Sequence, residues 1–255
     1  MSGHAVVQIT VDEVKRVRER LAQTELAARD FGSIRPLYPD RLESAVARQD
    51  AGFGDARKYT RLHEITATLF FGLVTSHAFD NGNKRTGLVS ALALLEKNGS
   101  SLGGQVTEDE LYEVATRVAD WKQTQQWGST NPDRVVHDLS VWFKSNQTST
   151  RTGFQAMRTK DFLQSLRALG CEVSLPDRSF VRVTPPPQNS SGRITKVVYR
   201  DEGREVPARL VKDVRKKLGL TPANGVYETE FFQLEPAVDK FVVKYQEVLR
   251  RLADA

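Results

Sequence analysis

Two apolar runs of the same spacing bracket one short polar stretch, and this pairing constrains the fold more than any other feature of the chain. Leu62, Ile65, Leu69 and Leu73 recur at helical intervals, and so do Leu88, Ala91, Leu92 and Leu95. Both helices are expected to be buried, the second on most sides, so further helices must cover them. Between them, residues 77–88 read HAFDNGNKRTGL. Gly and Asn are poor helix formers and favour turns. The stretch is therefore a loop joining two buried helices, with a residue set suited to chemistry.

The surrounding sequence supplies the covering elements. Thr10 can cap a helix through VDEVKRVRERLAQTEL, with Asp12 and Glu13 in its first turn. GSIRPLYPD breaks the pattern, and a short helix over Arg41 to Ala47 follows. The two glycines flanking Phe53 in RQDAGFGDARKY predict a loop or small hairpin. Lys97, Asn98 and Gly99 close the second buried helix as a basic last turn and C-cap. A helix is expected over Glu108 to Trp121, and another begins at Asn131 with Pro132 in its first turn, burying Val135, Leu139, Trp142 and Phe143. The three tryptophans read as core. NQTSTRTGF is polar and small enough for a linker, so a boundary is placed there.

Beyond it the period changes. MRTKDFLQSLRALG is an amphipathic helix closed by Gly170, and CEVSL, SFVRV and KVVYRD alternate as half-buried strands do. GREVPARLVKDVRKKLGL supplies a short strand and a basic helix, and PAVDKFVVKYQEVLRRLA a final one. The fold class is mainly α: an all-helical domain over 1–147, a linker over 148–157, and a smaller α+β domain over 158–255 of ordinary size.

Charge and cysteine content narrow the function classes. The net charge is +5, and it sits in the second part: residues 1–150 hold 18 Lys and Arg against 19 Asp and Glu, residues 151–255 hold 19 against 13. Nine basic residues fall within 193–217. Such a run is a solvated helix face or an electrostatic footprint for RNA or an acidic partner. The single Cys171 excludes an internal disulfide and the common zinc sites. No apolar run spans a bilayer and the first residues are not those of a signal peptide, so a cytoplasmic protein is expected.

The loop can be read from the viewpoint of a phosphate. Gly82, Asn83, Lys84 and Arg85 lie at the start of a helix, where unpaired N–H groups and the dipole favour anions. Gly82 allows close approach to the backbone, Asn83 offers an amide donor, and Lys84 and Arg85 offer charge-assisted contacts. A neutral His77 imidazole can take a proton from an attacking hydroxyl. Phosphoryl or nucleotidyl transfer is the implied chemistry, while Phe79 anchors the loop. His63 and His137 read as structural or exposed, and His4 lies in a frayed terminus.

HAFDNGNKRTG resembles the signature of the Fic/Doc (Fido) superfamily, HxFx(D/E)GNxRxxR, and most of all its death-on-curing, Doc-like branch, whose motif ends NKRT. LESAVARQDAGFGD resembles that family's flap, and LVSALALLEKNG its following core helix; the resemblance covers roughly residues 8 to 145. It implies an all-helical domain in which His77 is the general base, Gly82, Asn83, Lys84 and Arg85 hold the phosphates of ATP, and an acid before Gly82 holds Mg²⁺. The flap around Gln49 to Asp55 would align a target segment as an added strand. The implied activity is that of a Doc-like toxin phosphorylating a protein target, a translation factor, under control of an antitoxin. AMP transfer of the Fic type and a catalytically decayed nucleotide- or RNA-binding regulatory module are the alternatives.

Two positions depart from the pattern. Asn81 stands where the family usually has Asp or Glu, with Asp80 one place earlier, so Asn81 and Asp80 are the candidate metal ligands; an amide oxygen lacks the charge hard cations prefer. Leu88 replaces the final arginine, as in the death-on-curing branch. The second part resembles, more faintly, the small HicA-type toxin domain, a double-stranded-RNA-binding-like fold. That family cleaves RNA with a histidine, and residues 151–255 contain none. RNA contact without cleavage, through the basic segment, is what that resemblance leaves.

Overall fold

The computed structural model describes residues 6–23, 31, 33–123, 131–149, 156–187, 189, 191–199, 201–221, 224, 226, 231 and 237–253. Trp127 and His4 lie outside them. The chain forms two compact units, one from Met1–Ser149 with Val238–Ala255, the other from Thr150–Ala237.

The first unit is built on the two helices that the apolar runs predict. Helix α3 (Leu62–Thr75) is buried from Ile65 to Val74, and α4 (Asn83–Lys97) is buried from Arg85 to Lys97. They pack on each other, and Gly87 permits the close approach, because a Cβ there would meet Val74 Cγ2 at 2.8 Å. Around them lie α1 (Val11–Ala22), α2 (Pro39–Ala47), α5 (Glu108–Ala119) and α6 (Pro132–Asn146). Thr10 caps α1 in a capping box with Glu13, Thr107 does the same for α5 with Glu110, and Asn131 caps α6 ahead of Pro132.

Two short pairings complete the unit. A two-residue hairpin joins β1 (Gly52–Phe53) to β2 (Ala56–Arg57), as expected of the glycine-flanked stretch. Strand β3 (Ser100–Leu102) pairs antiparallel with β4 (Gln147–Ser149). The polar side chains of that second partner predict a linker instead; an edge strand needs only backbone groups, and composition does not reveal it. Trp121 and Trp142 are half-buried rather than fully interior, each edge-on to a phenylalanine.

The final helix departs from the sequence reading in two ways. It is broken at Tyr245 into Ala237–Lys244 and Gln246–Arg251, and it belongs to the first unit, not the second. Val248 and Leu249 are fully buried, the Gln246–Arg251 segment packs on α5, and Arg251 pairs with Asp109 and lies over the Tyr112 ring. Its apolar face is a pattern any helix of either unit could show.

The second unit has a small α+β core. Helix α7 (Thr159–Ala168) and α8 (Ala208–Lys217) cover a three-stranded antiparallel sheet of β6 (Glu172–Val173), β7 (Phe180–Thr184) and β8 (Thr195–Val198), and Phe162, Leu166, Val181, Val183, Val197 and Val214 lie in the core between them. Strand β5 (Met157–Arg158) pairs with β9 (Glu205–Val206). Cys171 is buried in this core, which pushes its thiol up to about 11 and makes it inert.

Candidate active site

The loop between α3 and α4 is braced from within and from behind. Asn83 folds back on it: its Oδ1 accepts from the Phe79 N–H at 3.1 Å, and its Nδ2 donates to the Phe79 carbonyl at 2.8 Å. Asp80 accepts from the Ser33 N–H at 3.0 Å and from the Asn81 N–H at 2.9 Å. The Tyr38 N–H donates to the Ala78 carbonyl, which ties the loop to the start of α2. Phe79 is buried, as its anchoring role requires.

The brace from behind is Arg18, a residue no motif singles out. It is fully buried on α1, and its guanidinium donates to the carbonyls of Asn81 at 2.7 Å, Phe31 at 2.6 Å and Ser33 at 2.8 Å. It lies over the rings of Phe31 and Phe79, and Asp80 stands 3.6 Å away. Burial pushes Arg18 down to about 10, with Asp80 opposing that shift and Arg85 adding to it. The Arg85 guanidinium, also fully buried, stacks on the same Phe31 ring at 4.6 Å.

These contacts redistribute the roles expected of the motif. Gly82 is buried at φ +69, and a Cβ on it would meet Arg18 Nη1 at 2.4 Å and Phe31 Cε2 at 3.1 Å. Its missing side chain makes room for the Arg18 guanidinium. Asn83 is a tether, and Arg85 sits beneath the surface. Lys84 is half-buried, and His77 is exposed at φ +48, an uncommon conformation for a side-chain-bearing residue. Gln49, expected at the edge of the flap, is buried and hydrogen-bonded to the Ile9 N–H and carbonyl, whereas in the β1–β2 hairpin that follows it Phe53 is 93% exposed.

The helix start keeps its preference for anions. The N-cap of α4 is Gly82, no side chain caps the helix, and its first turn has no acidic residue. Two buried guanidinia behind that turn add to the dipole's positive end.

The same contacts decide how well the loop fits a divalent cation. Asp80 already uses both carboxylate oxygens on N–H donors beside a guanidinium, and Ser33's N–H first, with Asn81's N–H and Arg18, holds its carboxyl below the usual range. The Asn81 Oδ1 accepts from the Gly82 N–H at 2.5 Å. Among the described residues no cluster of three or more metal-ligating His, Cys, Asp or Glu exists. One committed carboxylate and one committed amide do not fit a resident Mg²⁺.

Comparison with known proteins agrees with this architecture. The model of the Fic/DOC family matches residues 8–95, from the start of α1 through the loop and into α4. Toxin Doc of Mycolicibacterium smegmatis (strain ATCC 700084 / mc(2)155) is 37% identical over 100 residues, covering 38% of this chain and 71% of that protein. The chain belongs to the Fic/DOC family. Its Doc-like loop is held by Arg18 of α1, which lies within the matched segment. The second unit lies outside it.

Proposed function

We propose that this protein is a Doc-like toxin, a transferase that moves a phosphate from ATP to a hydroxyl side chain of a protein target, a translation factor, and that an antitoxin restrains it. The observation that supports this best is the combination of an exposed imidazole with a helix start that favours anions. His77 is open to solvent on a loop whose next six residues are tied down or stacked. That loop ends at the uncapped start of α4, with Lys84 at its rim.

In this arrangement His77 accepts the proton of the target hydroxyl as its oxygen attacks the terminal phosphorus. The bond between that phosphorus and the bridging oxygen of the nucleotide breaks. The charge that develops on the phosphate oxygens is met by the N–H groups of the first α4 turn and the Lys84 ammonium. The buried Arg18 and Arg85 act through the field they set up and through the rigidity they confer. The exposed β1–β2 hairpin offers backbone groups to which a target segment can add as a strand.

The experiment is to incubate purified protein with cell lysate and ATP labelled at either the γ- or the α-phosphate. The expected result is γ-label in a protein band, no α-label, and loss of both label and growth arrest in His77→Ala. Label from the α-phosphate would replace this reading with AMP transfer. Undiminished growth arrest by His77→Ala would remove the imidazole from the chemistry.

A further inference from the structure

The sheet of the second unit buries one face in the core, and the residues of its other face are exposed. Val181 and Val183 of β7 and Val197 of β8 point into the core. Phe180 and Arg182 stand on the opposite face beside their register partners Val198 and Lys196. Phe180 is 46% exposed, Val198 44%, and Leu175 in the β6–β7 turn 87%. At the tip of that turn, closed by reciprocal backbone bonds between Asp177 and Phe180, Arg178 sits at φ +54. A tight hairpin normally places Gly or Asn there. Leu175, Arg178, Phe180, Arg182 and Lys196 line an open hollow of about 740 Å³.

The chemistry of that hollow is specific. Arg178, Arg182 and Lys196 surround an aromatic ring, Asp177 is the one acid among the lining residues, and none of the three cations makes an ion pair among the described residues. A ring flanked by cations at a strand spacing of roughly 7 Å per residue pair suits a ligand that alternates flat π-faces with negative charges. We propose that this sheet face binds single-stranded RNA, with a base stacked on Phe180 and the backbone phosphates on Arg178, Arg182 and Lys196. A duplex hides the faces of its bases, and single strands in a cell are chiefly RNA.

This relocates the RNA contact expected from the charge run. Arg215 of α8 is buried against the Phe231 ring, and the exposed Lys212, Lys216 and Lys217 of that helix have no aromatic residue among them. The helix can meet phosphates but cannot stack bases.

The test uses the full chain carrying His77→Ala, so that growth arrest does not limit expression, and a fluorescent single-stranded RNA of about 12 nucleotides, within the span of known single-strand sites. Anisotropy is read across a salt series. Phe180→Ala is expected to weaken binding roughly 5- to 100-fold, and Phe180→Trp to keep it. Arg182→Ala with Lys196→Ala is expected to flatten the slope of log K against log salt by about 0.7 for each phosphate no longer neutralised. All three side chains are exposed, so the variants should keep the parent circular dichroism. Absence of binding, preference for duplex RNA, or loss on Lys212→Ala with Lys216→Ala while Phe180→Ala binds like the parent would each overturn the proposal.

Discussion

At the scale of single residues, the site depends on a cation that its own motif does not contain. Arg18 bonds three backbone carbonyls, and that of the buried Phe31 would lose its buried donor without it. Arg18→Met should therefore cost on the order of 3 kcal/mol in a urea titration and abolish transfer, since an unsatisfied buried carbonyl costs about 1–3 kcal/mol. Arg18→Lys should fail as well, because a single ammonium cannot reproduce the fork. Gly82→Ala should have a related effect: the left-handed backbone costs at least about 1 kcal/mol for a residue with a Cβ, and the new methyl displaces Arg18. A crystal or NMR structure with Arg18 unmoved, or full activity in either variant, would contradict this. The motif made His77, Phe79 and the helix start legible. It could not tell that Gly82 and Asn83 face the protein, because the group filling the space beside Gly82 comes from α1. The one available signal was a charge at position 18 within the apolar stripe of Val14, Val17 and Leu21.

Among the elements, α1 and α4 are joined by an ion pair that is closed to solvent. Lys97 Nζ donates to both carboxylate oxygens of Glu13, at 2.6 and 2.8 Å, and Glu13 also accepts from the Thr10 N–H. In the sequence Lys97 reads as a solvated last-turn cation, and helical spacing alone cannot show that a carboxylate 84 residues earlier covers it. Removing one partner leaves a buried charge. Lys97→Met should destabilise the first unit by roughly 3–5 kcal/mol, and Glu13→Leu with Lys97→Met by markedly less. A double variant that loses as much as Lys97→Met, or more, would contradict the penalty assigned to the unpaired carboxylate. His63 on α3 adds a dependence on pH. Burial lowers its pKa from the ordinary 6.5, with Lys144 and Arg61 adding to that shift and Glu64 opposing it. The unfolded chain then binds the proton more readily than the folded one. Stability is full above the unfolded pKa and falls as the pH drops through it toward the lowered folded value. Urea midpoints between pH 8 and pH 5 should show this decline, and His63→Gln should flatten it.

At the scale of the whole molecule, the chain leaves the helical unit at Ser149 and re-enters it at Val238. The two units were legible as a change of hydrophobic period after residue 150, but the return was not, because an amphipathic helix does not say which core it completes. The return makes a prediction that separates the units. Leu249 is fully buried in the first unit, on the segment that packs on α5. Leu249→Ala should cost that unit roughly 2–5 kcal/mol, because the truncated side chain leaves a cavity that packed helices fill only in part. Growth arrest and transfer should fall with it. Among the described residues, the core of the second unit is drawn from Phe162 to Phe231 and holds no residue of the closing helices. Its single-strand RNA binding should survive the substitution at temperatures where transfer has already failed, read as anisotropy and label incorporation on one preparation. Loss of both functions at one temperature would mean that the units unfold as one, and the terminal helix would then support the entire chain.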